Sequence, residues 1–153
     1  MTKAHEFKPE MAQLFFDFFV IEKALANVFD SVYAEQQVTT KQWLVLAIAS
    51  NIEDPSISTI AKILSTSHQN VKVIAQNLEK NGFVELVPSK SDKRTTVVRT
   101  TEKLDRLNEA RGNRDNDNLV LLFDEFDQTE LNNLLGYLER FKLHLEKVKG
   151  ELT

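Results

Sequence analysis

The chain is predicted to fold as a mainly α-helical protein with one small β-hairpin. Three features predict it. Apolar residues recur at three- and four-residue steps over most of the length; a short helical segment is followed closely by a longer one near the middle; and two β-branched runs, 83–87 and 95–99, bracket a polar tip. At 153 residues, 42% of them apolar, the chain suits a single domain with a core of its own.

Residues 9–35 read as one long helix, with Met11, Leu14, Phe15, Phe18, Leu25, Phe29 and Val32 in register. Phe16, Phe19 and Val20 widen that stripe beyond one narrow face, so the helix must be covered on more than one side. Its own core is one neighbour and a second chain is a plausible other. Thr39, with Gln42 three residues on, fits a capping box that opens a second, strongly apolar helix containing Trp43. That helix stops near Asn51, ahead of Asp54-Pro55. Ser56 caps a short third helix whose Ile60, Ile63 and Leu64 are expected to face inward. After a tight turn at Ser65-Thr66, Ser67 caps a fourth helix running to Asn81, with Val71, Ile74, Ala75 and Leu78 as its inner stripe and Gly82 at its exit. Short helix, tight turn and longer helix form a helix-turn-helix.

The hairpin follows, its tip at residues 88–94, with Pro88 tolerated where the strand ends. Thr101 begins a fifth helix with Leu104 and Leu107 inward. Residues 111–118 are polar and carry one glycine; we read them as a weak stretch of helix, with Arg111 and Asp115 paired one turn apart, although a break fits the same residues. Asp127 with Glu130 has capping-box spacing and opens the last helix. There Leu131, Leu138 and Leu145 repeat every seven residues, as do Leu134, Phe141 and Val148. Such a seam serves either a core or self-association.

Composition excludes several functions. With no cysteine there is no disulfide, thiolate zinc site or thiol redox sensor. The opening MTKAHEFKPE is not a secretory signal, and no run approaches the roughly 20 apolar residues of a membrane span. A soluble cytoplasmic protein is expected. His5, His68 and His144 fit no HExxH spacing; with four glycines there is no phosphate-cradling loop, and no GxSxG occurs. Neither enzyme activity nor a metal or cofactor is expected.

The net charge of −4 hides an asymmetry: residues 56–106 hold nine Lys/Arg against five Asp/Glu, or +4, which leaves −8 for the remainder. Alone, that count is better explained by solvated surface charge. Joined to a helix-turn-helix with a hairpin directly after it, it describes a winged helix-turn-helix, which we assign to residues 39–100. His68, Gln69, Asn70 and Lys72 lie on the exposed first turns of the second helix, where a duplex major groove admits one helix and glutamine or asparagine pairs with adenine. Ser67 and the free N–H groups of that helix start suit a phosphate. On the hairpin, or wing, Arg94 suits a narrow minor groove, while Lys90 and Lys93 reach flanking phosphates. Asp92, an acid beside a polyanion, is expected to pair with Arg94 or another arginine and fix its guanidinium.

The whole chain resembles the MarR (multiple antibiotic resistance regulator) family of bacterial transcription factors. The resemblance is carried by Ile60-Ala61 and Leu64, by Ser67 and Val71, by the exit Leu78-Glu-Lys-Asn-Gly-Phe-Val84, and most specifically by Asp92-Lys-Arg94, which matches the Asp-x-Arg wing motif. Thr101-Glu-Lys103 resembles the start of the next family helix, although Thr100 stands where Leu is usual and Leu104 where Gly is usual; Val73 replaces a commonly polar or basic residue. The resemblance implies a homodimer joined through residues 7–35 and 101–150, two winged helices on a pseudo-palindromic duplex, and a repressor released by a small aromatic ligand. Phe15, Phe16, Phe19 and Trp43 are candidates to line that ligand's pocket, though each fits plain core better. The rival reading is a winged-helix protein-interaction module of the antirepressor type, without DNA binding.

Overall fold

The computed structural model describes residues 6–151. Its contacts fall into two compact units, Met1–Leu107 and Asn108–Thr153. In the first, α1 (Pro9–Val32), α2 (Thr40–Asn51), α3 (Ile57–Ile63) and α4 (His68–Lys80) precede a hairpin of β1 (Val84–Pro88) and β2 (Thr96–Thr100). Then α5 (Glu102–Arg111) runs across the boundary, and α6 (Arg114–Phe123) and α7 (Gln128–Val148) form the second unit. No helix among the described residues is long and apolar enough to cross a membrane.

The helix starts obey local chemistry. Thr39 and Gln42 close the expected capping box, the Gln42 N–H donating to Thr39 Oγ1 and the Thr39 N–H to Gln42 Oε1. Ser56 and Ser67 Oγ accept from the N–H groups of Thr59 and Asn70. Asp127 and Glu130 form the second box. Each such cap is worth about 1 kcal/mol.

Helix α4 ends in a Schellman motif. Gly82 takes φ +78°, its N–H donates to Glu79 O, and the Phe83 N–H donates to Leu78 O. Leu78 and Phe83 are both buried, which supplies the hydrophobic contact of that motif.

The core lies within the winged part. Val45, Ile60, Val71, Leu78, Val84 and Val98 are fully buried, and Tyr33, Leu46, Ile57, Ala75, Phe83 and Leu104 surround them. Burying each large side chain there contributes about 1.5–3 kcal/mol. The strands pair antiparallel from Val84↔Thr100 to Pro88↔Thr96, and Val98 also donates to Pro55 O, which ties the α2–α3 loop to the sheet edge.

Three expectations are corrected. The first helix ends at Val32 rather than 35; a 3-10 turn, Ala34–Gln36, and left-handed Gln37 (φ 55°) redirect the chain into α2. In α3 the inner face is Ile57, Ile60, Ala61 and Leu64, at steps of three and four, which turns Ile63 outward to 51% exposure. Residues 111–118 are not continuous helix, because Gly112 takes φ +54° and separates α5 from α6. The Arg111–Asp115 pair nonetheless forms across the break, at 2.6 Å.

Candidate nucleic-acid interface

The tight turn between α3 and α4 starts with Ser65 in the left-handed region (φ 49°) and closes with the Thr66 N–H on Ala61 O. The α4 stripe of Val71, Ala75 and Leu78 then anchors that helix on the core, so the opposite side stays in solvent. Ser67, His68, Gln69, Asn70 and Lys72 are all exposed there, as the sequence led us to expect. Asn70 is partly engaged: its Nδ2 donates to Thr66 Oγ1 at 3.2 Å and its N–H to Ser67 Oγ. The same face continues beyond the first turns through Val73, Gln76, Asn77 and Lys80, all exposed. The sequence reading singled out Val73 but stopped short of Gln76, Asn77 and Lys80, although a helical wheel drawn from the buried stripe finds them.

The hairpin tip carries Lys90, Lys93 and Arg94, all exposed. Lys72, Lys93 and Arg94 form no ion pair among the described residues. Asp92 does not hold the Arg94 guanidinium. Its Oδ1 accepts from the Arg94 backbone N–H at 3.0 Å and its Oδ2 from Thr95 Oγ1 at 3.0 Å. A carboxylate two residues before a free N–H closes an Asx turn, and that short-range bond wins over a flexible guanidinium. Asp92 therefore shapes the tip and leaves Arg94 uncompensated.

The root of the wing is fixed by an ion pair that the sequence reading missed. Arg99 on β2 grips Asp54 in the α2–α3 loop through two bonds, Nε to Oδ1 at 3.0 Å and Nη2 to Oδ2 at 2.6 Å. Asp54 is left-handed (φ 45°), a conformation that aspartate tolerates better than most residues, directly before Pro55. The Arg99 hydrogen bond holds the Asp54 carboxyl below its ordinary value, helped by the charges of Arg99 and Lys90 and opposed by burial. Only the spacing of 45 residues hid this pair, and no local pattern marks it.

A second clasp holds the exit of α4. Thr101 Oγ1 donates to Gly82 O at 2.7 Å, Lys103 Nζ donates to Asn81 O at 2.6 Å, and the lysine lies 4.5 Å from the centre of the Phe83 ring. Thr101-Glu-Lys103 thus secures the C-terminal end of α4 as well as opening α5.

The four aromatic candidates for a ligand pocket are not brought together. Trp43 packs on Phe29 and Tyr33, with ring centres 5.1 and 6.0 Å apart, against the core. Phe15, Phe16 and Phe19 form an edge-to-face cluster (5.1–5.8 Å) on the exposed surface of α1, with Phe19 about 15 Å along the helix from Phe29. Among the described residues no three His, Cys, Asp or Glu side chains cluster as a metal site would require. His5 lies outside the described residues.

Residues 38–96, from the start of α2 to the first residue of β2, match the model of the MarR family. The match takes in about two-fifths of the chain and marks a likeness to the MarR family. The matched region is the winged helix-turn-helix. The chain is similar to the transcriptional activatory protein BadR of Rhodopseudomonas palustris, 29% identical over 103 residues. That match spans 65% of this chain and 59% of BadR. The fold is shared with a MarR protein from Peptoclostridium difficile, at TM-score 0.81 and 18% identity over 100% of this chain and 97% of that one. It is shared too with AbfR of Staphylococcus epidermidis in its reduced, DNA-bound form, at TM-score 0.71 and 22% identity over 88% and 94%.

Proposed function

We propose that this protein is a MarR family regulator that controls transcription by binding a pseudo-palindromic duplex operator as a homodimer. One observation carries the DNA contact. The exposed first turns of α4 and the wing tip present Lys72, Lys93 and Arg94 without ion-pair partners among the described residues, while Asp92, the acid at the wing tip, is spent on the turn itself. Ser67, His68, Gln69 and Asn70 complete the α4 contact, and Lys90 extends the wing toward flanking phosphate. A neighbour of the same fold is described as bound to DNA. The dimer is assigned to the terminal helical parts, residues 7–35 and 101–150, where Phe15, Phe16 and Phe19 stand uncovered on α1. Those three rings fit a subunit contact better than a pocket shared with Trp43. The repressor role and release by a small aromatic ligand rest on the family resemblance, and BadR is named an activatory protein.

A salt titration tests the reading. Affinity for duplex DNA should fall steeply as salt rises, in proportion to the phosphates contacted. Arg94→Ala should weaken binding roughly tenfold. An Arg94→Ala protein that matches the wild type on every duplex would remove the wing from the interface. A wild-type protein without salt-dependent duplex binding would favour a protein-interaction module of the antirepressor type.

A further inference from the structure

We propose that Val73 reads the 5-methyl group of a thymine in the major groove, so that α4 selects an A·T pair in each operator half-site. This deepens the DNA-binding reading and rests on it. The buried stripe of α4 points one way, through Val71, Ala75 and Leu78. At 100° per residue the opposite direction is occupied by Gln69, Val73, Gln76 and Lys80. Val73 therefore stands in the middle of the outward face, one turn after Gln69 and three residues before Gln76, and it is 46% exposed.

Neither solvent nor the helix favours a valine there. A β-branched side chain loses rotamer freedom in a helix, and exposed apolar surface gains nothing from water. Val71, two residues earlier, is fully buried and already serves the core. Of the outward side chains only Val73 lacks a polar group; Gln69, Lys72, Gln76, Asn77 and Lys80 all have one.

The neighbours define what such a residue would meet. A glutamine carboxamide matches the N6 and N7 edge of adenine, and the thymine paired with that adenine carries its methyl in the same groove. Glutamines on either side of a branched apolar group thus suit an A·T pair, whereas cytosine offers an amino donor and no methyl. Asn70, turned toward Thr66, is less free to compete for the base edge.

The test uses the full chain and deoxyuridine, which removes only the thymine methyl. Duplexes bound by the protein are selected from random sequence, and each thymine of the recovered half-site is replaced in turn. At one thymine per half-site the wild type should lose about fourfold in affinity, the worth of burying one methyl group. Val73→Ala should lose a similar factor on the thymine duplex and nothing further on the deoxyuridine one. Because the residue is exposed, this variant should melt with the wild type, so folding does not confuse the result. Wild-type indifference to every deoxyuridine, an undiminished deoxyuridine penalty in Val73→Ala, or a recovered half-site lacking A·T pairs would each overturn the assignment while leaving DNA binding intact. Failure to retain any duplex at low salt would overturn the DNA-binding reading as well.

Discussion

Leu78 and Phe16 are both large apolar side chains on helices, yet Leu78 is fully buried and Phe16 is 65% exposed. The contrast extends to their surroundings. The winged part closes a core around Val45, Ile60, Val71, Val84 and Val98, and its caps, clasp and ion pair all lie within the chain. By comparison α1, α6 and α7 contain no fully buried residue, and Phe15, Phe19, Val120, Leu121 and Leu143 are each at least 60% exposed. Even on α1 by itself, an apolar face such as that of Phe15, Phe16 and Phe19 is rare on a protein that works alone. If self-association uses the uncovered helices, as proposed above, it and folding stability rest on different residues, and substitutions should separate them.

The largest effect is expected in the core. Leu78→Ala should lower stability by about 2–5 kcal/mol, because the side chain is fully buried within the core cluster. Denaturant melts would show it, and a loss under 1 kcal/mol would mean that the core is not where the stability resides. On α1, replacing Phe16 or Phe19 with glutamate should leave the helical circular-dichroism spectrum intact. Sedimentation equilibrium should show self-association weakened roughly a hundredfold, since a charge would then be placed against apolar surface. An unchanged association constant would break the comparison. The smallest effect concerns Asp54. Its carboxyl is held below its ordinary value by the Arg99 hydrogen bond, so the stabilisation is present above about pH 4 and is lost as acid protonates the group. Asp54→Asn should therefore lower stability modestly near neutrality and flatten the acid side of the profile, the two proteins converging below about pH 4. An acid limb identical to the wild type would remove Asp54 from the wing root.

Much of the winged part was legible because its signals are local. Capping residues sit three positions from their partners, the α4 stripe repeats at helical steps, and Gly82 marks the exit; Thr39, Ser56, Ser67 and Asp127 all cap as their spacing requires. The exposure of the candidate residues of α4 and the wing tip followed from the same patterns. What was misread depended on competition or distance. Asp92 had two partners in reach, and the backbone won over the guanidinium. Gly112 left helix and break both open, and its positive φ decides for the break. Trp43 could not be separated from Phe15, Phe16 and Phe19 by composition, since only the length of α1 sets them apart. Arg99 and Asp54 meet through tertiary structure alone.

The Asx turn at Asp92 has a bearing on how ionic strength acts. Hydrogen bonds closed within three residues hold the hairpin tip without relying on an exposed charge pair, which mobile ions would weaken. The loop should keep its contour from dilute buffer to strong brine. A logarithmic plot of duplex affinity against cation concentration should then stay straight, its gradient counting displaced counterions rather than a melting recognition element.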